Sequence, residues 1–342
     1  MEIGLVLGKF NPLHLGHKAL IEFAQEKCDE LIVLICASEK ETINGSTRLN
    51  WVKDCFKSNS KIRPILLNYL EAELPNTSVS SKEVSAIWAS KLKTLFPQID
   101  IIFSSEIYGN YLAEILKCRH ICFDIDRKAF NISATEINSN VFKHWNFLAT
   151  SVRPFYVKKI CVYGTESTGK STITEKLANY FQTTFVPEMA REIIEETEEC
   201  RENHLIQIAE LQAKTINEKV KTANKLLFVD TDLNITSSYS QFLFTKKLVV
   251  DSWVEEANNF DLYLYLDNDA PFIQDGTRLD KTRRDELNLS HKKQLIDKGI
   301  NYHLVTGNWD ERFAKSVEIV KTLLVDEESQ QATLGLAKVG LT

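Results

Sequence analysis

The stretch GTESTGKS at residues 164–171 constrains this chain more than any other. The pattern G-x-x-x-x-G-K-S works only between an apolar strand and a helix. Its glycines let the backbone wrap a polyphosphate, whose charge is met by N–H groups at the helix start. Both flanks are present: VKKICVYG leads in and GKSTITEKLANYF leads out. A unit of this kind opens with the strand that carries the loop, yet Val162 lies almost halfway along 342 residues. The residues before it must build something else.

They alternate. EIGLVLG reads as a buried strand, HKALIEFAQEKC as a helix and ELIVLICAS as a second strand. RLNWVKDCFKS follows as a helix, then KIRPILLN as a strand whose proline places it at an edge or an end. SSKEVSAIWASKLKTLF is helical, and IDIIFSS and RHICFDI are further strands. Strand–helix alternation predicts a parallel sheet covered on both faces. The alternation restarts after the proline-containing junction TSVRPFYV, with strands at KLLFVDTD, FDLYLYLDND and NYHLVTG. The expected fold is α/β: two doubly wound parallel-sheet domains, a Rossmann-like domain over 1–152 and a P-loop domain over 156–325. Residues 326–342 are expected to be a disordered tail, having few apolar anchors.

The formal charge is −6, with both signs interspersed, which argues against a nucleic-acid surface. No apolar run reaches the roughly 18 residues of a membrane span, and the N-terminus lacks the features of a signal peptide. The seven cysteines are scattered without a C-x-x-C pair, and we read them as reduced thiols of a cytoplasmic protein.

In the second half, backbone N–H groups of Glu166, Ser167, Thr168 and Thr172 are expected to cradle the phosphates of ATP, with Gly164 and Gly169 permitting the tight path. Lys170 would reach the β- and γ-phosphates, and the Ser171 hydroxyl would bind Mg²⁺. LLFVDTD offers Asp230 as a metal ligand and Asp232 as a substrate contact or base, one of the two being equally readable as a helix N-cap. Glu188 and Arg191, three apart in VPEMAREIIEE, would share one helix face, as a substrate grip or as a solvated ion pair. PFIQDGTRLDKTRRDEL holds Arg278, Arg283 and Arg284 and reads as a lid over ATP or as a charged surface loop.

In the first half, GKFNPLHLGH runs from strand to helix and contributes Gly8, Lys9 and Phe10. His14 and His17 flank Gly16 at the helix start, where two imidazoles and unpaired N–H groups suit an α-phosphate under attack. A zinc site would need further ligands nearby, and none is evident. In NISATEINSN, Ser133 and Thr135 offer hydroxyls for the β- and γ-phosphates. FSSEIYG and DIDR end strands at the edge where ligands bind in such sheets. Trp51 could stack on a base or belong to the core.

These segments together resemble the bifunctional NadR family: GKFNPLHLGH, ISATEI, FKHWNFL, VRPFYVKKICVYGTESTGKST, FVDTD and QDGTR occur in the family's order over about residues 1–325. The resemblance implies a nicotinamide-mononucleotide adenylyltransferase followed by a ribosylnicotinamide kinase, with nicotinamide riboside, nicotinamide mononucleotide, ATP and NAD as ligands. It implies that Glu188, Arg191 and Asp232 surround the riboside, that Arg278 and Arg284 are lid arginines with Asp275 beside them, and that His14 and His17 serve the transition state. The helix-turn-helix domain of some members has no counterpart ahead of the first strand, so no DNA binding is expected. The family's I-S-x-T-x-x-R ends here in Asn138, not Arg. A lost charge-assisted contact of about 1.5–3 kcal/mol would slow adenylylation unless Lys9, Arg127 or Lys143 compensates. The alternative is a kinase whose first domain only senses nucleotide.

Overall fold

The computed structural model describes residues 1–77, 80–126, 128–194, 200–269 and 280–325. The chain divides into two compact units, Met1–Arg153 and Pro154–Thr342.

The first unit is a five-stranded, all-parallel sheet in the order β3-β2-β1-β4-β5. Its strands are β1 (Ile3–Gly8), β2 (Glu30–Ser38), β3 (Ile62–Tyr69), β4 (Ile101–Ser104) and β5 (Arg119–Cys122). Leu5 of β1 pairs with Ile32 on one side and Ile102 on the other, so the central strand is buried on both faces. Pro64 sits in β3, an edge strand, where its missing N–H breaks no second ladder. Helices α1 (Leu15–Gln25), α2 (Gly45–Cys55), α3 (Lys82–Leu95), α4 (Tyr108–Leu116) and the short α5 (Ala134–Ser139) connect and cover the sheet. The chain leaves β1 for β2 on one side and returns to β4 on the other. The resulting reversal of strand order opens a crevice at the carboxyl end of β1.

A four-residue helix, α6 (Arg153–Tyr156), precedes the second sheet. Its strands are β6 (Lys158–Tyr163), β7 (Phe185–Val186), β8 (Leu226–Asp230), β9 (Leu262–Leu266) and β10 (His303–Val305), parallel in the order β10-β9-β6-β8-β7. The helices are α7 (Lys170–Tyr180), α8 (Glu202–Lys219), α9 (Leu233–Phe244), α10 (Ser252–Ala257), α11 (Lys281–Asp297) and α12 (Trp309–Lys321). Buried Ile160, Val162, Phe228, Leu264 and Leu266 form the sheet's contribution to a core with Ile173 and Leu177 of α7 and Val317 and Val320 of α12. The two doubly wound sheets match the expected architecture. The amphipathic α8 was not among the expected elements. Of PFIQDGTRLDKTRRDEL, expected to be a lid or a charged surface loop, the part from Lys281 belongs to α11, so Arg283 and Arg284 are helical. All seven cysteines are unpaired.

Candidate active sites

The loop Lys9–His14 turns β1 into α1. His14 caps the helix, its Nδ1 accepting from the backbone N–H groups of Gly16 at 3.2 Å and His17 at 3.4 Å. A neutral ring held this way carries its proton on Nε2. The His17 ring stacks on that of His14, centroids 3.7 Å apart, and meets Phe10 edge-on at 5.0 Å. A side chain at position 16 would place Cβ 3.1 Å from the His14 ring, so the glycine keeps the imidazoles in place. Both histidines line a cavity of about 440 Å³ with Gly8, Lys9, Ser133 and Thr135. Glu106, Tyr108 and Asp124, from the two strand-end segments, line it too. The Ser133 hydroxyl caps α5, accepting from the Glu136 N–H at 3.1 Å.

Four further first-unit residues were singled out in the sequence. Trp51 is only 4% exposed and lies outside the cavity lining; the α2 pattern puts it in the core. Asn138 turns its amide to the Asn11 carbonyl at 3.0 Å, tying α5 to the loop before the histidines. Lys143 is exposed and away from the cavity lining, and Arg127 lies outside the described residues.

In the second unit, register places the acid. Val162 pairs with Asp230, so the end of β8 lies beside the strand that enters the phosphate loop. Ser171, in the first turn of α7, donates its hydroxyl to Asp230 Oδ2 at 2.5 Å. Lys170 Nζ donates to the Thr165 carbonyl at 2.9 Å, folded over the loop it serves. The loop is braced from below by residues the sequence reading missed. Gly169 adopts a left-handed φ of 83°, and a Cβ there would come within 2.2 Å of the Trp309 ring. Arg312 is fully buried and donates to the carbonyls of Thr168 at 3.2 Å, Gly307 at 2.7 Å and Asp267 at 3.1 Å, and pairs with Asp269. A buried guanidinium is tolerated because its donors are matched. A lone arginine more than 140 residues downstream leaves no local signal of this role.

A cavity of about 650 Å³ opens over the loop, lined by Glu166, Lys170, Ser171, Glu188, Arg191 and Tyr239 and by apolar Ile194, Leu205, Ile208 and Ile235. Glu188 and Arg191 do lie together, Nε to Oε2 3.5 Å, but on a 3-10 turn, Met189–Glu192, and not on an α-helix. Buried Gln212 of α8 fixes that turn: its Oε1 accepts from the Met189 N–H at 3.2 Å while its Nε2 donates to the Asp230 carbonyl at 3.2 Å. The Tyr239 hydroxyl donates to Glu166 at 2.7 Å.

Asp232 does not line this cavity. It is 1% exposed and caps α9. Oδ1 accepts from the N–H groups of Asn234 and Ile235, and Oδ2 from the Asn234 amide and the Tyr263 hydroxyl. Four donors occupy both oxygens, and the N-cap reading holds for this acid. Arg284 is buried in the first turn of α11, its Nε donating to the Glu166 carbonyl at 2.9 Å; it supports the loop and is not part of a lid. Asp275 and Arg278 lie outside the described residues.

Asp230 is suited to a cation. Its Oδ1 is buried with no hydrogen-bond partner, a costly state for a carboxylate oxygen. Burial and, next, the charge of Glu188 push its pKa from 3.8 to about 6. Among the described residues no group of three or more His, Cys, Asp or Glu could hold a metal alone. The raised pKa has a testable sign. Folding favours the protonated form, so this residue's contribution to stability is full at low pH and declines as pH rises from about 4 to about 6. Asp230→Asn should therefore raise the thermal midpoint at pH 8 and leave it nearly unchanged at pH 4. Calorimetry showing the same shift at both pH values would contradict this.

An H-x-G-H loop at the mouth of one doubly wound sheet and a phosphate loop at the mouth of another define a bifunctional transferase, a nucleotidyltransferase unit followed by a P-loop kinase unit. Comparisons agree. A cytidylyltransferase-like family model matches residues 5–140 and an AAA domain model matches 159–312. The trifunctional NAD biosynthesis/regulator protein NadR of Salmonella typhimurium is 30% identical over 351 residues, spanning 95% of this chain and 84% of the relative. Its Escherichia coli namesake matches to the same extent. A crystal structure of a NadR protein in complex with NR shares the fold, with a TM-score of 0.76 at 21% identity over 95% of this chain and 97% of the other. The chain belongs to the NadR family.

Proposed function

We propose that the chain makes NAD from nicotinamide riboside in two ATP-dependent steps. In the second unit the riboside 5′-hydroxyl attacks the γ-phosphorus of ATP; ADP leaves and nicotinamide mononucleotide forms. In the first unit a 5′-phosphate oxygen of the mononucleotide attacks the α-phosphorus of a second ATP; pyrophosphate leaves and NAD forms. The observation that carries this reading is the order of two built phosphate sites in one chain aligned over 95% of its length with NAD-biosynthesis relatives. Seven unpaired cysteines fit the reducing cytoplasm.

In the kinase unit Lys170 meets the β- and γ-phosphates, and the backbone of residues 166–172 wraps them. Glu188 lies in the same cavity as Lys170 and Ser171 and accepts the hydroxyl proton, with Arg191 beside it. Of the two DTD acids, Asp232 is occupied as a cap and Asp230 is turned to Ser171. Ser171 and Asp230 would hold a magnesium ion that neutralises phosphate charge. The apolar end of the cavity takes the nicotinamide ring. In the adenylyltransferase unit His14 and His17 donate to the α-phosphate as charge develops on it, and Ser133 and Thr135 bind the outgoing pyrophosphate.

The test supplies riboside, ATP and Mg²⁺ to the full chain. Mononucleotide should rise first, then NAD with pyrophosphate. No product from the riboside defeats the proposal, and mononucleotide without NAD reduces the first unit to a binding module.

A further inference from the structure

The phosphate loop of the second unit carries an acid, Glu166. A carboxylate in such a loop repels the triphosphate that the backbone wraps, unless it is turned aside. Here it is turned toward α9. Its Oε1 accepts from the Tyr239 hydroxyl at 2.7 Å, and its backbone carbonyl accepts from Arg284 Nε at 2.9 Å. Tyr239 packs against the clusters that hold Leu205, Ile208 and Ile235, the apolar residues of the cavity over the loop. Glu166 and Tyr239 line that cavity as well, so the carboxylate stands where its phosphate end meets its apolar end.

Among the described residues lining the cavity, Glu166, Lys170, Glu188 and Arg191 carry charge. Glu188 and Arg191 face each other at 3.5 Å, and Lys170 serves the phosphates. Nicotinamide riboside brings one fixed charge of its own: the ring nitrogen bonded to the sugar is a pyridinium. A cation beside a carboxylate at an apolar wall offsets the cost of holding that carboxylate out of water. The face of a tyrosine ring also attracts a cation, the more so where water is excluded. Acid and ring together suit a flat, positively charged heterocycle. The tyrosine rests on a neutral neighbour. Its ring meets that of buried His291 edge-on at 5.5 Å, and burial pushes the His291 imidazole down to about 3, so His291 brings no competing positive charge.

Resting on the kinase reading above, we infer that Glu166, placed by Tyr239, recognises the positive charge of the riboside's ring and makes the kinase unit select pyridinium ribosides over neutral ones of the same shape. The test uses the full chain and two substrates: nicotinamide riboside and its reduced dihydro form, whose ring is nearly the same size and uncharged. Glu166→Gln keeps the size of the side chain and an acceptor for the Tyr239 hydroxyl. It should lower kcat/KM for nicotinamide riboside at least about tenfold and that for the dihydro form less than about twofold. Tyr239→Phe keeps the ring and removes the hydroxyl that holds the carboxylate, and should lower the ratio of the two kcat/KM values at least about threefold. The neutral substrate reports on the phosphate loop itself, so an acid that only shaped the loop would lose both activities together. The inference fails if Glu166→Gln leaves that ratio within about threefold of its starting value, whether both activities fall or neither does. An unchanged ratio in Tyr239→Phe overturns the placement by the tyrosine. A starting chain that phosphorylates neither riboside defeats the kinase reading, and this inference with it.

Discussion

Lys170→Ala should abolish phosphorylation of nicotinamide riboside, with a fall in rate of at least about 10³-fold, while NAD formation from supplied mononucleotide stays within about twofold. The size follows from the chemistry. Charge spreads over the oxygens of the transferring phosphoryl group in a site that excludes water, and loss of one fixed cation costs about 4 kcal/mol at the transition state. The selectivity follows from the fold. Lys170 begins α7 of the second unit and donates to a carbonyl of its own loop, Thr165. The first unit has its own sheet and its own cavity. Measuring both reactions on one preparation decides the matter. If adenylylation falls in parallel in a protein of unchanged thermal midpoint, the two sites are not independent and the two-step reading needs revision.

His17→Ala should give the reverse: NAD formation reduced about 10²- to 10⁴-fold, and riboside phosphorylation unchanged. His17 is a cleaner probe than its neighbour. His14 caps α1 through Nδ1, so removing it also strips an acceptor from two backbone N–H groups, at a stability cost of about 1 kcal/mol. Only the backbone N–H of His17 enters that cap; its side-chain ring stacks on His14 inside the cavity. The expected signature is a fall in kcat/KM shared by kcat, because the imidazole acts as charge develops on the α-phosphate. An unchanged rate of NAD formation would remove His17 from the chemistry.

The parts of the two sites that follow from local rules were legible in the sequence. A glycine-flanked lysine and serine between strand and helix can do little except wrap phosphate, and two histidines around a glycine at a helix start face one point. Both sheets were readable because parallel strands buried on both faces are near-continuous apolar runs. Harder cases turned on contacts between distant segments. FVDTD offers two acids two residues apart, and only the register of β8 on β6 sends Asp230 to Ser171 and leaves Asp232 to cap α9. Trp51 occupies an amphipathic pattern that fits a core or a stacking face equally well. Gln212 and Arg312 read as ordinary polar or charged residues, and their roles exist only once the strands are assembled around them.

The grip of Arg312 on the Thr168 carbonyl has a temporal consequence. The phosphate loop is translated long before the arginine that braces it, which follows Thr168 by 144 positions. A nascent chain emerging from the ribosome can complete the first unit early, since domains fold as they appear. The second catalytic centre must wait for nearly the last helix. The enzyme half that acts later in the reaction sequence is therefore the one finished first, and a message cut short before α12 would leave an adenylyltransferase with no kinase to feed it.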